Sequence, residues 1–114
     1  MNDIELLLKG GADANMKNEY DFSLLMSSAQ DNDLEAAKIL IDYGAKIEAK
    51  DNRGYTALDY AVSNNNLDMV KLLISLGSYP TDNSYMLSVS KDFKEITKYF
   101  DTLDDNKKIF LKNN

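Results

Sequence analysis

The chain has 114 residues, 13 basic and 19 acidic side chains, a net charge of −6, and neither cysteine nor histidine. That composition excludes disulfides, thiolate metal sites, cysteine nucleophiles, Ser-His-Asp triads and imidazole-ligated metal centres. One domain is expected at this length, and the acidity argues against nucleic acid, whose phosphates need a basic surface.

The charge is uneven. Residues 1–49 hold 4 basic and 10 acidic groups, residues 50–82 hold 3 and 4, and residues 83–114 hold 6 and 5. The acidic N-terminal half suits a protein partner with a basic contact surface, although a modest acidic excess also serves solubility. Met1 to Glu5 is acidic, and Leu6-Leu7-Leu8 is too short for the apolar core of a signal peptide. No run approaches the length of a membrane span, so no membrane contact is expected and the cytoplasm is the default location.

In chain order, three leucine-rich runs recur: Leu6-Leu7-Leu8, Ile39-Leu40-Ile41 and Leu72-Leu73-Ile74. Gly11, Gly44 and Gly77 follow them at intervals of 33 residues. Aligning residues 17–49 with 50–82 gives 8 identities in 33 positions, among them Leu25/Leu58, Asn32/Asn65, Leu40/Leu73 and Gly44/Gly77. A fixed period of this size marks stacked repeats, each burying its apolar face against its neighbours.

Residues 17–49 predict a helix capped by Ser23, a turn at Asn32, and a second helix capped by Asp33 that carries Leu34, Ala37, Leu40 and Ile41 and ends at Gly44. Residues 50–82 predict the same unit. Thr56 caps a first helix running to about Asn64, with Asp59 three residues on completing a capping box. Asn65 takes the left-handed turn position, Asn66 caps the second helix, and Gly77 ends it. Before these units the chain offers only a second helix, with Ile4, Leu7 and Leu8 expected to cover one side of the next repeat; either the first helix is missing or the reading frame starts late. After Gly77 the register breaks. Pro80 and Asn83 mark a loop, Tyr85–Val89 and Phe93–Phe100 resemble a shortened helix pair, and a last short helix is expected near Asp105–Leu111. The lysines of this third suit a terminal cap.

The arrangement closely resembles the ankyrin repeat. Asp51-Asn52-Arg53-Gly54-Tyr55-Thr56-Ala57-Leu58-Asp59 matches the start of the family pattern, Asn66 to Gly77 its second helix, and Leu40 to Ile47 and Leu7 to Asn15 the helix end and following loop. Residue types depart from the pattern at Leu24 and Ala57 (family Pro), Met26 and Asp59 (family His) and Asp21 (family Gly). The resemblance covers residues 1 to about 80. It implies an all-α ankyrin-repeat solenoid in a single domain: a partial repeat at 1–16, repeats at 17–49 and 50–82, and a degenerate repeat and cap at 83–114.

The resemblance also implies protein binding without enzymatic activity, through the finger tips and first helices. Mapped onto this sequence, the binding positions are Glu19, Tyr20, Phe22, Gln30 and Asp31 in one repeat and Asn52, Arg53, Tyr55, Ser63 and Asn64 in the next. Tyr, Phe and Arg are the residue types that carry most interface energy. Phe22 and Tyr55 admit two readings, as partner contacts or as finger residues packed on each other. Within the binding class, the small size and N-terminal acidity lean towards a stoichiometric inhibitor or immunity-type protein of a basic enzyme. An adaptor fragment of a larger ankyrin protein and a regulatory subunit are the alternatives.

No catalytic residue, cofactor or metal is expected. Asp59 reads as a capping-box carboxylate and Asp68 as a first-turn acid favoured by the helix dipole. The run Asp101-Thr102-Leu103-Asp104-Asp105-Asn106 lacks the glycine, spacing and terminal Glu of an EF-hand loop. The methionines Met16, Met26, Met69 and Met86 fall mostly on apolar repeat positions and are expected to fill the core. The protein is expected to be monomeric, or to self-associate weakly through its N-terminal edge.

Overall fold

The structure is a computed structural model that describes residues 3–103. The expected helix near Asp105–Leu111 lies outside the described residues. Among those described, seven α-helices form and no strand beyond one isolated antiparallel bridge between Lys17 and Ser23.

The first helices share one starting device. Ser23 Oγ accepts from Met26 N–H at 3.2 Å, Thr56 Oγ1 from Asp59 N–H at 3.3 Å, and Thr81 Oγ1 from Ser84 N–H at 3.3 Å. These open α2 (Leu24–Gln30), α4 (Ala57–Ser63) and α6 (Asp82–Ser90). The reciprocal acceptor changes each time: Met26 Sδ at 3.4 Å, Asp59 Oδ2 at 3.1 Å and Ser84 Oγ at 2.6 Å. Either way, backbone donors that the first turn leaves unpaired are satisfied.

Each first helix ends in a tight turn through a left-handed residue: Asn32 (φ 56°), Asn65 (φ 57°) and Asp92 (φ 58°). The short polar side chains of Asn and Asp tolerate that region best after glycine. The second helices then run back as α3 (Leu34–Asp42), α5 (Leu67–Ser75) and α7 (Lys94–Thr102), with α1 (Asp3–Lys9) as their N-terminal counterpart. Asp33 caps α3 by accepting from Ala36 N–H at 3.1 Å. Asn66 does not cap α5. Its Nδ2 donates instead to the Ala29 carbonyl at 3.2 Å, 37 residues away, and so ties one repeat to the one before it. The local capping preference gives way to a carbonyl at the end of α2, which the Asn32 N–H also reaches at 3.3 Å.

The helices stack in two rows. The first helices follow one another as α2, α4, α6 and the second as α1, α3, α5, α7, with α2–α3, α4–α5 and α6–α7 paired as hairpins. The body measures 42 × 27 × 24 Å. Its core runs continuously between the rows through Leu25, Met26, Leu58, Met69, Val70, Leu73 and Ile74 to Ile96 and Phe100, all at most 2% exposed. Burying apolar surface in this way is the dominant stabilising contribution, about 25 cal/mol per Å².

Two expectations fail at the ends of the stack. Leu7 does not pack on the next repeat; it is 65% exposed, while Ile4 and Leu8 turn inward onto Leu40 and Ala14. Met26 and Met69 fill the core, but Met16 and Met86 do not. Leu7 has the buried counterparts Leu40 and Leu73, but no first helix lies over it among the described residues.

Candidate protein-binding surface

The fingers are the loops that precede α2 and α4. Asn18 and Asp51, 33 residues apart, build them identically. Asn18 Oδ1 accepts from the N–H groups of Tyr20 (2.9 Å) and Phe22 (3.1 Å), and Asp51 Oδ1 from those of Arg53 and Tyr55 (both 2.9 Å). Each loop turns on a residue with positive φ, Asp21 at 60° and Gly54 at 83°. The Asn52 N–H then donates to the Tyr20 carbonyl at 2.9 Å and joins finger to finger.

Tyr60, one helical turn into α4, is the centre of the surface. Its ring makes edge-to-face pairs with Phe22 (centroids 5.2 Å) and Tyr55 (5.8 Å). Its hydroxyl donates to Asp51 Oδ2 in a short hydrogen bond and accepts from Arg53 Nη2 at 3.0 Å. Arg53 also lies over the Tyr55 ring, 5.0 Å from its centroid. Phe22 and Tyr55, both half-buried, each pack on Tyr60.

Burial raises the Asp51 carboxyl, but the hydrogen bonds from Tyr60, Tyr55 and Arg53 and the Arg53 charge together outweigh it, and its pKa lies below the ordinary carboxylate value. Burial pushes the Tyr60 phenol up, and donation to Asp51 adds to the rise while Arg53 opposes it. The result is an Asp51–Tyr60–Arg53 chain of hydrogen bonds in which Arg53 itself is exposed.

Above these hydrogen bonds opens a hollow of about 570 Å³, lined by Asn18, Tyr20, Phe22, Gln30, Asp51, Asn52, Arg53 and Tyr60. Five of the ten sequence-derived positions meet there: Tyr20, Phe22, Gln30, Asn52 and Arg53. Tyr20 stands at its lip, 58% exposed. Glu19 and Asp31 are exposed beside lining residues in sequence but outside the hollow. Tyr55 serves as packing beneath Arg53, and Ser63 and Asn64 lie at the far end of α4, where Asn64 Nδ2 donates to the Tyr60 carbonyl. Sequence reasoning missed Asn18, Asp51 and Tyr60. The 33-residue pairing of Asn18 with Asp51 carried the signal for the first two; Tyr60, at the repeat position of Ser27, had none.

Elsewhere the acids stay structural. Asp59 is 3% exposed, and its Oδ2 closes the capping box of α4. Burial raises its pKa, opposed by hydrogen bonding with the Thr56 backbone and by Asn83 and the Thr56 side chain, and its Oδ1 closes no hydrogen bond within the described residues. Asp68 is exposed in the first turn of α5. Asp101 accepts from the Tyr85 hydroxyl at 3.2 Å, while residues 104–106 of its acidic run lie outside the described residues. No helix among the described residues is long and apolar enough to cross a membrane.

Paired helices stacked in two rows, with aromatic fingers along one edge, define an all-α recognition solenoid. The family model for ankyrin repeats, in three copies, matches residues 2–84, and the chain belongs to the ankyrin-repeat family. It is thereby a protein–protein interaction module of a generally non-enzymatic family. No curated protein matches the sequence.

Proposed function

We propose that this protein binds another protein through the hollow between its two complete fingers, without chemistry of its own. One observation carries the reading: side chains from two repeats converge on a single preorganised hollow with an exposed tyrosine at its lip and an arginine on its wall. A rigid aromatic at a concave site is the usual anchor of an interface. The partner presents a basic contact surface. Support for that comes from the 10 acidic against 4 basic groups of residues 1–49 and from exposed Glu19 and Asp31 beside the hollow. Asp51 is engaged by the Tyr60 hydroxyl and by the backbone N–H groups of Arg53 and Tyr55, so the attracting charge is assigned to the rim. A cytoplasmic inhibitor or immunity-type protein of a basic enzyme fits these features; an adaptor or a regulatory subunit would use the same surface.

The test is surface plasmon resonance against the partner isolated by pull-down. Tyr20→Ala should speed dissociation about tenfold or more, the loss typical of an anchor. Glu19→Lys with Asp31→Lys should slow association and flatten its salt dependence. Survival of binding through all three changes, with loss on altering Lys94 or Lys98, would move the site to the C-terminal helices and defeat the assignment.

A further inference from the structure

The hollow between the fingers is lined by one acid and one base, and the two are engaged very differently. Asp51 is held at both oxygens: Oδ1 accepts from the Arg53 and Tyr55 N–H groups, and Oδ2 from the Tyr60 hydroxyl. A guanidinium has five N–H donors; that of Arg53 meets one side-chain acceptor, the Tyr60 hydroxyl at 3.0 Å. No carboxylate among the described residues forms an ion pair with it. Its orientation is set all the same, by that hydrogen bond and by the Tyr55 ring 5.0 Å away. Arg53 is exposed, so water satisfies its other donors. A partner that covers the hollow expels this water, and a charge left without an acceptor is strongly unfavourable. A fitting partner therefore brings an acceptor of its own.

Three observations narrow that acceptor. Every backbone N–H of Tyr20, Asp21 and Phe22 in the earlier finger, and of Asn52, Arg53, Gly54 and Tyr55 in the later one, is already bonded within the fingers. No nest of free N–H groups is left for a chain-terminal carboxylate, the usual receptor for that group. Only one base lines the hollow, and Glu19 and Asp31 are exposed beside it, so a doubly charged phosphate would meet one cation among like charges. A single side-chain carboxylate matches both the charge and the planar fork of the guanidinium. Finally, Phe22 and Tyr20 line the same hollow and offer apolar surface to the stem of such a side chain.

We propose that the partner inserts the carboxylate of a glutamate or aspartate side chain, carried on an internal segment and flanked by basic residues, between the fingers and onto Arg53. This rests on the reading that the hollow is the binding site. The acids of the rim attract any basic surface, and Arg53 sets specificity by rejecting those without an acid at their centre.

Random peptides of about twelve residues, displayed at the N-terminus of a phage coat protein and so without a free C-terminus, are the probe. They are selected on the full-length wild type and, in parallel, on Arg53→Glu. The wild type should enrich peptides that place Glu or Asp among Lys or Arg, and Arg53→Glu should enrich peptides without the acid. Resynthesised with an amidated C-terminus, the leading wild-type peptide should bind Arg53→Gln roughly thirtyfold more weakly in fluorescence anisotropy. Arg53→Lys, which keeps the charge but not the fork, should fall between. Changing the peptide's acid to its amide should weaken binding to the wild type as much, and to Arg53→Gln little further. If that change instead weakens both chains equally, Arg53 acts through Tyr60 and does not touch the acid, which would overturn the proposal. Peptides that lose binding on Tyr20→Ala but not on Arg53→Gln would keep the hollow as the site and overturn the carboxylate. Peptides that bind Tyr20→Ala and Arg53→Gln as tightly as the wild type would overturn the hollow itself, and this inference with it.

Discussion

The two complete fingers share a backbone but not an anchor. Both turn on an amide or carboxylate oxygen that holds two N–H groups, Asn18 in one and Asp51 in the other. Only Asp51 reaches further, to the Tyr60 hydroxyl on α4, and it is 7% exposed while Asn18 is exposed. The position equivalent to Tyr60 in the earlier repeat is Ser27, whose short side chain makes no such link. The later finger is fastened to its helix; the earlier one is held by its own turn and by the Asn52–Tyr20 bond. A binding surface that joins a fixed wall to a looser one can orient a partner against the first and adapt to it with the second.

Removing the anchor should have the largest effect. Tyr60→Phe keeps the ring contacts with Phe22 and Tyr55 but leaves Asp51 Oδ2 buried without its donor, and should cost about 1–3 kcal/mol in urea unfolding. Ser27→Ala should stay within about 0.5 kcal/mol, since nothing in the earlier finger depends on it. Equal losses would mean the hydroxyl anchors nothing.

Next come the pH limbs, which separate the anchor from the cap below it. The folded-state pKa of Asp51 lies below its unfolded value of about 3.9, so its stabilisation is full above that value and lost as pH falls through the folded pKa. Asp51→Asn, which makes the later finger resemble the earlier, should flatten the acid limb of a stability titration. Asp59 has the opposite sign: its raised pKa means that its cost is absent at low pH and grows as pH rises through the folded value. Asp59→Asn should therefore look more favourable relative to wild type at pH 8 than at pH 3. A gain that shrinks with rising pH would contradict the burial argument.

Smaller still is the strain in the looser finger. Asp21 holds φ 60° where the later finger has Gly54. Asp21→Gly should stabilise by somewhat under about 1 kcal/mol, the relief of a left-handed residue less the exposed pair with Lys17 at 3.5 Å. An unchanged or lower melting temperature would show that the turn is not strained. Last, native-state hydrogen exchange should find the Tyr20 and Phe22 amides opening more readily than those of Arg53 and Tyr55.

Much of this was legible in the sequence because the repeat states it twice. Leu25 and Leu58, Leu40 and Leu73, Asn32 and Asn65 each report the same environment, and all behave alike in the structure. What misled was information held at a distance. Asn66 reads locally as a cap, but its partner is the Ala29 carbonyl in the preceding repeat. Leu7 reads as core because the period assigns it a neighbour that the described residues do not supply. At the candidate site, Tyr20, Phe22, Gln30, Asn52 and Arg53 were found by position in the repeat. Tyr60 was not, since a tyrosine in a helix carries no local sign that its hydroxyl will reach a loop carboxylate nine residues earlier.

The bond from the Asn52 N–H to the Tyr20 carbonyl has a consequence for how this surface can change. It joins the fingers through main-chain atoms alone, so the side chains at positions 20 and 52 carry no share of holding them together. Either can be exchanged for almost any residue other than proline at 52, which would remove the donor. The contact chemistry of the hollow is thereby decoupled from the scaffold beneath it, and a new binding preference could be written at these two positions by selection, natural or in the laboratory, without first repairing the fold.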